Sequence, residues 1–216
     1  MPFLGIEIGG TKLQSAVVDA AGTVLLARTD TVKAADGAEA LRRALGGQLD
    51  ALFAALPAGT AVEAAGIGFG GPVDRRRGVV AASFHVAGWQ DFPLAEWMSQ
   101  RLDGLPVALE NDANAAALAE ACVGAGRGAS PVLYSNAGSG IGGGLVIDGR
   151  LYHGRTPGEV EIGHLAMEPE GVILEDLASG WSIDRRVRAR VAADPEGPMA
   201  RIAAGRSTSP RPDPRG

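Results

Sequence analysis

Apolar and polar residues alternate in three early runs, Phe3–Ile8, Leu13–Asp19 and Thr23–Arg28, separated by the turn-forming segments GGTK and DAAG. Period-two patterning bounded by turn residues predicts three strands joined as two successive hairpins, and so an antiparallel start. The period then changes. Leu41, Leu45, Leu49, Leu52, Phe53 and Leu56 recur at helical spacing, which predicts an amphipathic helix over Gly37–Leu56 despite the cost of Gly46-Gly47. A buried strand is expected at Val62–Phe69, then a short strand near Val79, a helix over Leu94–Leu102 and an apolar strand Pro106–Leu109. That strand runs into Glu110-Asn111-Asp112 and an Ala-rich helix, Ala113–Cys122. Pro131–Ser135 and Gly144–Ile147 read as strands around a glycine loop, with Asp148-Gly149 as a tight hairpin turn. Further helices are expected at Val172–Ala178 and Ser182–Val191. This order predicts an α/β or α+β fold in two lobes, residues 1–109 and 110–204. The closing segment RSTSPRPDPRG has three prolines and no apolar residue, so residues 205–216 are expected to form a disordered tail.

Composition narrows the class. The chain has 216 residues, 46% hydrophobic and 21% charged, which is enough to bury a sizeable core. A net charge of -5 argues against a broad nucleic-acid footprint, because neutralising phosphates needs a basic face. The stretch Ala51–Val73 carries a single charge, Glu63, but Pro57 and five glycines interrupt it, so a helix followed by a strand fits it better than a membrane span. Cys122 is the only cysteine; no internal disulfide or multi-thiolate metal site can form, and a reducing, cytoplasmic setting is the simplest expectation. The opening MPFLGIEIGG lacks the pattern of a signal peptide.

The 32 glycines ask for a reason. Gly66–Gly71 and Gly138–Gly143 both match G-x-G-x-x-G, yet neither opens a helix, as a dinucleotide fingerprint requires. G-x-x-x-x-G-K-[ST] is absent as well. What remains are loops whose amides can approach phosphates, or glycines that only make tight turns. Gly9, Gly10, Thr11 and Lys12 add free amides, a hydroxyl and an ammonium at one turn, a set that suits a phosphate chain or serves as a polar hairpin tip. Lys12 is one of only two lysines, the other being Lys33.

Asn111 and Asp112 stand where a strand meets a helix, a place that favours them as N-caps. It is also where α/β enzymes put reacting groups, and an Asp there can accept a hydroxyl proton during phosphoryl transfer. Glu161 and His164 are three apart and share a face if helical, and Glu175 follows. Polar groups of this kind suit a polyhydroxylated substrate.

Taken together, these segments resemble the bacterial ROK family of sugar kinases and repressors, within the sugar kinase, Hsp70 and actin superfamily. IEIGGTK is similar to its first phosphate loop, GIGFGGPVD to its second glycine segment and ENDANAAALAE to its catalytic signature. SNAGSGIGGGLVIDGRLYHG is similar to the second phosphate loop with its hairpin, and EIGH and LEDLASG to the sugar-site segments. The resemblance implies an actin-like, ribonuclease H-like ATPase fold and a glucokinase-like activity, the ATP-dependent phosphorylation of a hexose hydroxyl. It further implies Asp112 as general base and Asn111, Glu161, His164, Glu175, Gly71 and His85 as sugar-site residues. Gly9 to Lys12, with Gly138, Ser139, Gly140, Gly142 and Gly143, would hold the ATP phosphates, with Mg²⁺ positioned through them and Glu7.

Four departures shape the expectations. Glu7 replaces the family's usual Asp; His85 stands where an Asn is usual; LAMEPEGVIL replaces a cysteine-rich zinc motif, so no zinc is expected. The chain is also shorter than the family norm, so the second lobe is expected to be incomplete, with self-association as a consequence. The alternatives are a catalytically weak sugar-binding fragment and a hexose kinase that takes polyphosphate as donor. With the first phosphate strand at its start, DNA binding is not expected.

Overall fold

The computed structural model describes residues 1–83, 86–154 and 160–204. His85 and the expected disordered tail lie outside them. By internal contacts the chain divides into two units, one formed by residues 1–134 and 144–159, the other by 135–143 and 160–216. The expected boundary at Leu109 falls inside the first unit, which therefore includes Asp112 and its helix.

The first unit opens with β1 (Phe3–Ile8), β2 (Lys12–Val18) and β3 (Val24–Thr31), then α1 (Gly37–Ala54), β4 (Ala65–Phe69), β5 (Val73–Asp74) and β6 (Val79–Val80). It continues through α2 (Leu94–Arg101), β7 (Val107–Asn111) and α3 (Asp112–Cys122). Five strands form one sheet in the order β3-β2-β1-β4-β7. The two opening hairpins are antiparallel, while β4 runs parallel to both β1 and β7. The register aligns the alternation seen in the sequence. Ile6 faces Ser15 and Ile67, Ile8 faces Leu13 and Phe69, and Ile67 faces Leu109, so one side of the sheet is a continuous buried surface. Leu41, Leu45, Leu49 and Leu52 of α1 and Met98 of α2 belong to the same core cluster. Trp89 closes its rim, edge-on to Phe69 and to Phe92 with ring centroids 5.4 and 5.5 Å apart.

β8 (Val132–Ala137), β9 (Ile141–Ile147) and β10 (Arg150–Leu151) form a second sheet in the order β10-β9-β8. The Asp148-Gly149 turn between β9 and β10 has positive φ at both residues, the mirror-image turn that suits a hairpin's twist. β9 starts at Ile141, earlier than the expected Gly144, so that Gly142 and Gly143 also belong to the strand. A side chain at Gly144 would come within 2.7 Å of the Ala117 methyl on α3, so the glycine lets strand and helix pack closely.

The second unit carries a short 3-10 turn (Ile162–His164), α4 (Leu174–Ala178), α5 (Gly180–Ala193) and α6 (Pro198–Ala204). α6 was not expected from the sequence: Pro198 at a first helical position and Ala-rich residues after it were the only cues. Among the described residues, no helix is long and apolar enough to cross a membrane.

Candidate functional site

In the first unit, three parallel strands end side by side, and each continues into a segment singled out above: β1 into Gly9, β4 into Gly70 and β7 into Asp112. Ligands of open parallel sheets bind outside these carboxyl ends. Glu7, Gly68 and Glu110 lie in one register row on the sheet face opposite the α1 core, with the glycine between the two carboxylates. The Gly9–Lys12 turn is closed by the Gly9 amide donating to the Lys12 carbonyl (3.0 Å), and the Gly70 amide donates to the Ile8 carbonyl (3.0 Å). A side chain at Gly70 would sit 3.4 Å from Asp112 Oδ2 and 3.9 Å from the Gly9 Cα. The first glycine turn, the second glycine segment and Asp112 are thus neighbours around Gly70, within van der Waals contact of the space beside its Cα.

The strand-to-helix junction explains how Asp112 is placed. Asn111 is the N-cap, its Oδ1 accepting from the amides of Ala113 (3.0 Å) and Asn114 (3.2 Å), and its Nδ2 reaches the Gly71 carbonyl at 3.4 Å. Asp112 is the first helical residue, at the positive end of the α3 dipole. Glu110, to which the sequence assigned no role, braces this junction. Its Oε1 accepts from the Asn111 amide (3.0 Å) and from Asn114 Nδ2 (3.1 Å), and its Oε2 lies 3.5 Å from His153 Nε2. The ENDAN motif hinted at Glu110 by proximity; His153 is distant in sequence and left no such signal.

Burial first, and then the neighbouring Asp112 charge, push the Glu7 carboxyl above its ordinary value of 4.5, while Lys12 pulls it back. A carboxyl raised by folding contributes stability that is whole below its unfolded pKa and lost as pH climbs through the folded one. Glu7→Gln removes that loss. The variant should melt higher than the parent at about pH 8 and at the same temperature at about pH 4. Much of the Glu7 side chain still meets solvent although its carboxyl is partly desolvated, so screening weakens the effect and the gain should stay below about 1 kcal/mol. Equal melting temperatures at both pH values would contradict a Glu7 carboxyl raised by burial and the Asp112 charge.

Among the described residues, no group of three or more His, Cys, Asp or Glu side chains is placed to hold a metal ion. Glu7 and Asp112 supply two carboxylates. That suits Mg²⁺, which takes most of its oxygens from phosphates and water, and does not suit a closed structural zinc site.

In the second unit the glycine loop 138–143 gathers the other motifs. The Gly180 and Trp181 amides at the start of α5 donate to the carbonyls of Gly138 (2.9 Å) and Ser139 (3.2 Å). Ile162, next to Gly163 in the EIGH turn, would meet a side chain at Gly143 at 3.3 Å. Glu161 precedes the 3-10 turn and His164 ends it, a geometry that stacks i and i+3 on one face, and both residues are exposed. Glu175 is turned onto the loop itself, its Oε2 accepting from the Ile141 amide at 2.9 Å. His85 lies outside the described residues.

The segment in place of a zinc motif closes with backbone bonds. The Met167 amide donates to the Val172 carbonyl (2.8 Å) and the Leu174 amide to the Leu165 carbonyl (2.9 Å). We expect purified protein to hold no stoichiometric zinc and to keep its circular dichroism spectrum in a strong chelator. One zinc per chain by elemental analysis would refute this.

The chain resembles known proteins along most of its length. The family model described as ROK family matches residues 3–203. The chain is 35% identical to a glucokinase of Streptomyces coelicolor, over 95% of this chain and 65% of that protein. Among solved structures, a ROK family glucokinase from Streptomyces griseus in complex with glucose and AMPPNP superposes with a TM-score of 0.78 at 36% identity, covering 91% of this chain and 63% of that one. An inorganic polyphosphate/ATP-glucomannokinase from an Arthrobacter strain superposes with a TM-score of 0.69 at 33% identity, covering 86% and 71%. The chain therefore spans less than two thirds of the length of either glucokinase.

Proposed function

The chain belongs to the ROK family, and from that premise we propose that its residues phosphorylate a hexose hydroxyl at the expense of ATP. The observation that supports this reading best is the meeting of Asp112, Gly70 and the Gly9–Lys12 turn at the ends of three parallel strands. Phosphoryl transfer needs alignment and charge stabilisation more than covalent help from the protein. Asp112 takes the proton of the attacking hydroxyl, leaving an oxygen nucleophile in line with the γ-phosphate. Fixed by its neighbours, it pays little reorganisation at that moment.

Asn111 is committed to capping through its oxygen, which leaves its Nδ2 group, beside the Gly71 carbonyl, to face a sugar hydroxyl. Glu161 and His164 are further hydroxyl-binding residues in this reading. Backbone amides of Gly9–Lys12 and of loop 138–143 hold phosphate oxygens, and Lys12 adds a positive charge near Glu7. Mg²⁺, held by phosphate oxygens and Glu7, would neutralise charge on the transferring group.

Polyphosphate is a second donor to consider, supported by the likeness to the glucomannokinase and by amide-lined turns that address phosphates without reading a base. The test is an end-point assay with labelled ATP or labelled polyphosphate against glucose, mannose and fructose. Labelled sugar phosphate with one of these donors is the expected outcome. No product from any pair, with sugar binding intact, would leave a sugar-binding protein and overturn the kinase reading.

A further inference from the structure

Glu110 stands where β7 gives way to α3, and the two donors its Oε1 accepts from belong to residues before and after Asp112: the Asn111 amide at 3.0 Å and Asn114 Nδ2 at 3.1 Å. Asn114 is buried, and its Oδ1 has no hydrogen-bond partner among the described residues, so the bond to Glu110 is what orients its side chain. The Asn114 amide is also one of the two donors to the Asn111 cap. One carboxylate thus holds both flanks of Asp112.

Its other oxygen is backed from a different part of the chain. Oε2 lies 3.5 Å from His153 Nε2, and with Glu110 and His153 side chains only 19 and 21% exposed, water competes weakly for the contact. The hairpin of β9 and β10 carries His153 there, the Tyr152 amide donating to the Leu145 carbonyl (2.8 Å). Gly144 lets that hairpin approach, since a side chain there would come within 3.0 Å of the Ala113 carbonyl and of the Asn114 Cα. All of these residues belong to the first unit.

We propose that Glu110 and His153 are a positioning pair: His153 backs the Glu110 carboxylate, and Glu110 fixes Asn111 and Asn114 so that the Asp112 side chain between them meets the acceptor hydroxyl in one orientation. The inference rests on the kinase reading above, and it adds two residues that act through others. The physical reason is geometric. A misplacement of about 1 Å at a reacting group can cost about 100-fold in rate. A carboxylate makes stronger hydrogen bonds than a neutral acceptor, and without Glu110 both polar ends of the buried Asn114 side chain would lose their partners.

The test uses the 216-residue protein with Glu110→Ala, Glu110→Gln, His153→Ala and the Glu110→Ala/His153→Ala double variant. Amide hydrogen exchange without ligand comes first. In Glu110→Ala the Asn111 amide should exchange about 10- to 100-fold faster, and in Glu110→Gln, whose side-chain oxygen still accepts, it should stay close to the parent. Glucose affinity by calorimetry should stay within about threefold in every variant, because the Asn111 side chain keeps its own bonds to the Ala113 and Asn114 amides.

An end-point assay at saturating glucose, with labelled ATP or with labelled polyphosphate where that is the donor, then reads turnover. Glu110→Ala should be about 10- to 100-fold slower than the parent and His153→Ala about 3- to 10-fold slower. The double variant should be no slower than Glu110→Ala, since the two side chains act through one contact. Glu110→Gln should recover turnover to within about threefold of the parent. Turnover that falls while glucose affinity holds is the split that a role confined to stability would not give. Unchanged exchange at Asn111, parental turnover in Glu110→Ala, a loss that falls on glucose binding, a Glu110→Gln variant as slow as Glu110→Ala, or losses that multiply in the double variant would each overturn the proposal. A parent that forms no sugar phosphate from either donor sinks the kinase reading, and the positioning role with it, whatever the exchange shows.

Discussion

Asp112→Asn should abolish sugar phosphorylation and leave sugar binding nearly intact. Asparagine keeps the shape and can still accept from the Ala113 amide, as Asp112 Oδ1 does at 2.9 Å, so α3 should start at the same place. Asn111 caps the helix independently, and Glu110 braces the junction through Asn111 and Asn114, so neither contact depends on the substituted group. What the variant lacks is basicity. An amide cannot take up the hydroxyl proton, and losing a general base typically costs about 10²–10⁴ in rate. Glu7, raised first by burial and then by the Asp112 charge, loses the second of these causes, so the variant should be at least as stable as the parent at neutral pH. A labelled-phosphate end-point assay can follow such low turnover, and calorimetry with glucose gives the binding arm. Near-parental turnover would remove Asp112 from the mechanism; lost glucose binding would make it a sugar contact first.

The sheet was legible because its two faces differ. In β1, buried Leu4, Ile6 and Ile8 alternate with less buried Gly5 and Glu7, a pattern that survives inspection one residue at a time. α1 was legible because its leucines repeat at helical spacing, and the pair of buried Gly46 and exposed Gly47 did not outweigh them. β5 was missed because Val73 and Asp74 are strand only by pairing with Val80 and Val79, a partnership local propensity does not encode. Asp112 itself was readable from the strand-to-helix junction, which is a local signal. Its coupling to Glu7 was not, because it arises from two strand ends brought together by a third. For Glu175 the resemblance points to a sugar; its contact with the Ile141 amide on a distant loop was not legible, because main-chain acceptors and donors carry no residue-type signature.

The second large effect concerns the surface of the second unit. Leu165, Met167, Ile183 and Ile202 are 56, 51, 49 and 64% exposed, and Met199 lies beside them in sequence on α6 at 44%. Singly exposed apolar residues are ordinary, but these five, with Leu177 as a sixth, within a unit of short helices leave little buried side-chain surface: in α5 only Ser182 is buried, and in α6 only Ala200. Apolar surface in water is stabilised by association, at roughly 25 cal/mol per Å² removed from solvent. These 216 residues expressed alone should therefore elute as dimers or larger species. The first unit, with its closed core, should hold its sugar-facing junction regardless. The glycine turns offer amides to phosphates but no apolar surface to a purine ring, so hexose should bind more tightly than ATP and ATP-dependent turnover should be low. Light scattering gives the mass, paired titrations with glucose and Mg-ATP give the order of affinities, and the end-point assay gives the rate. A stable monomer turning over at about 1–100 s⁻¹, the ordinary range for kinases, would show that these exposed faces are tolerated as they stand and that the residues present suffice for both substrates.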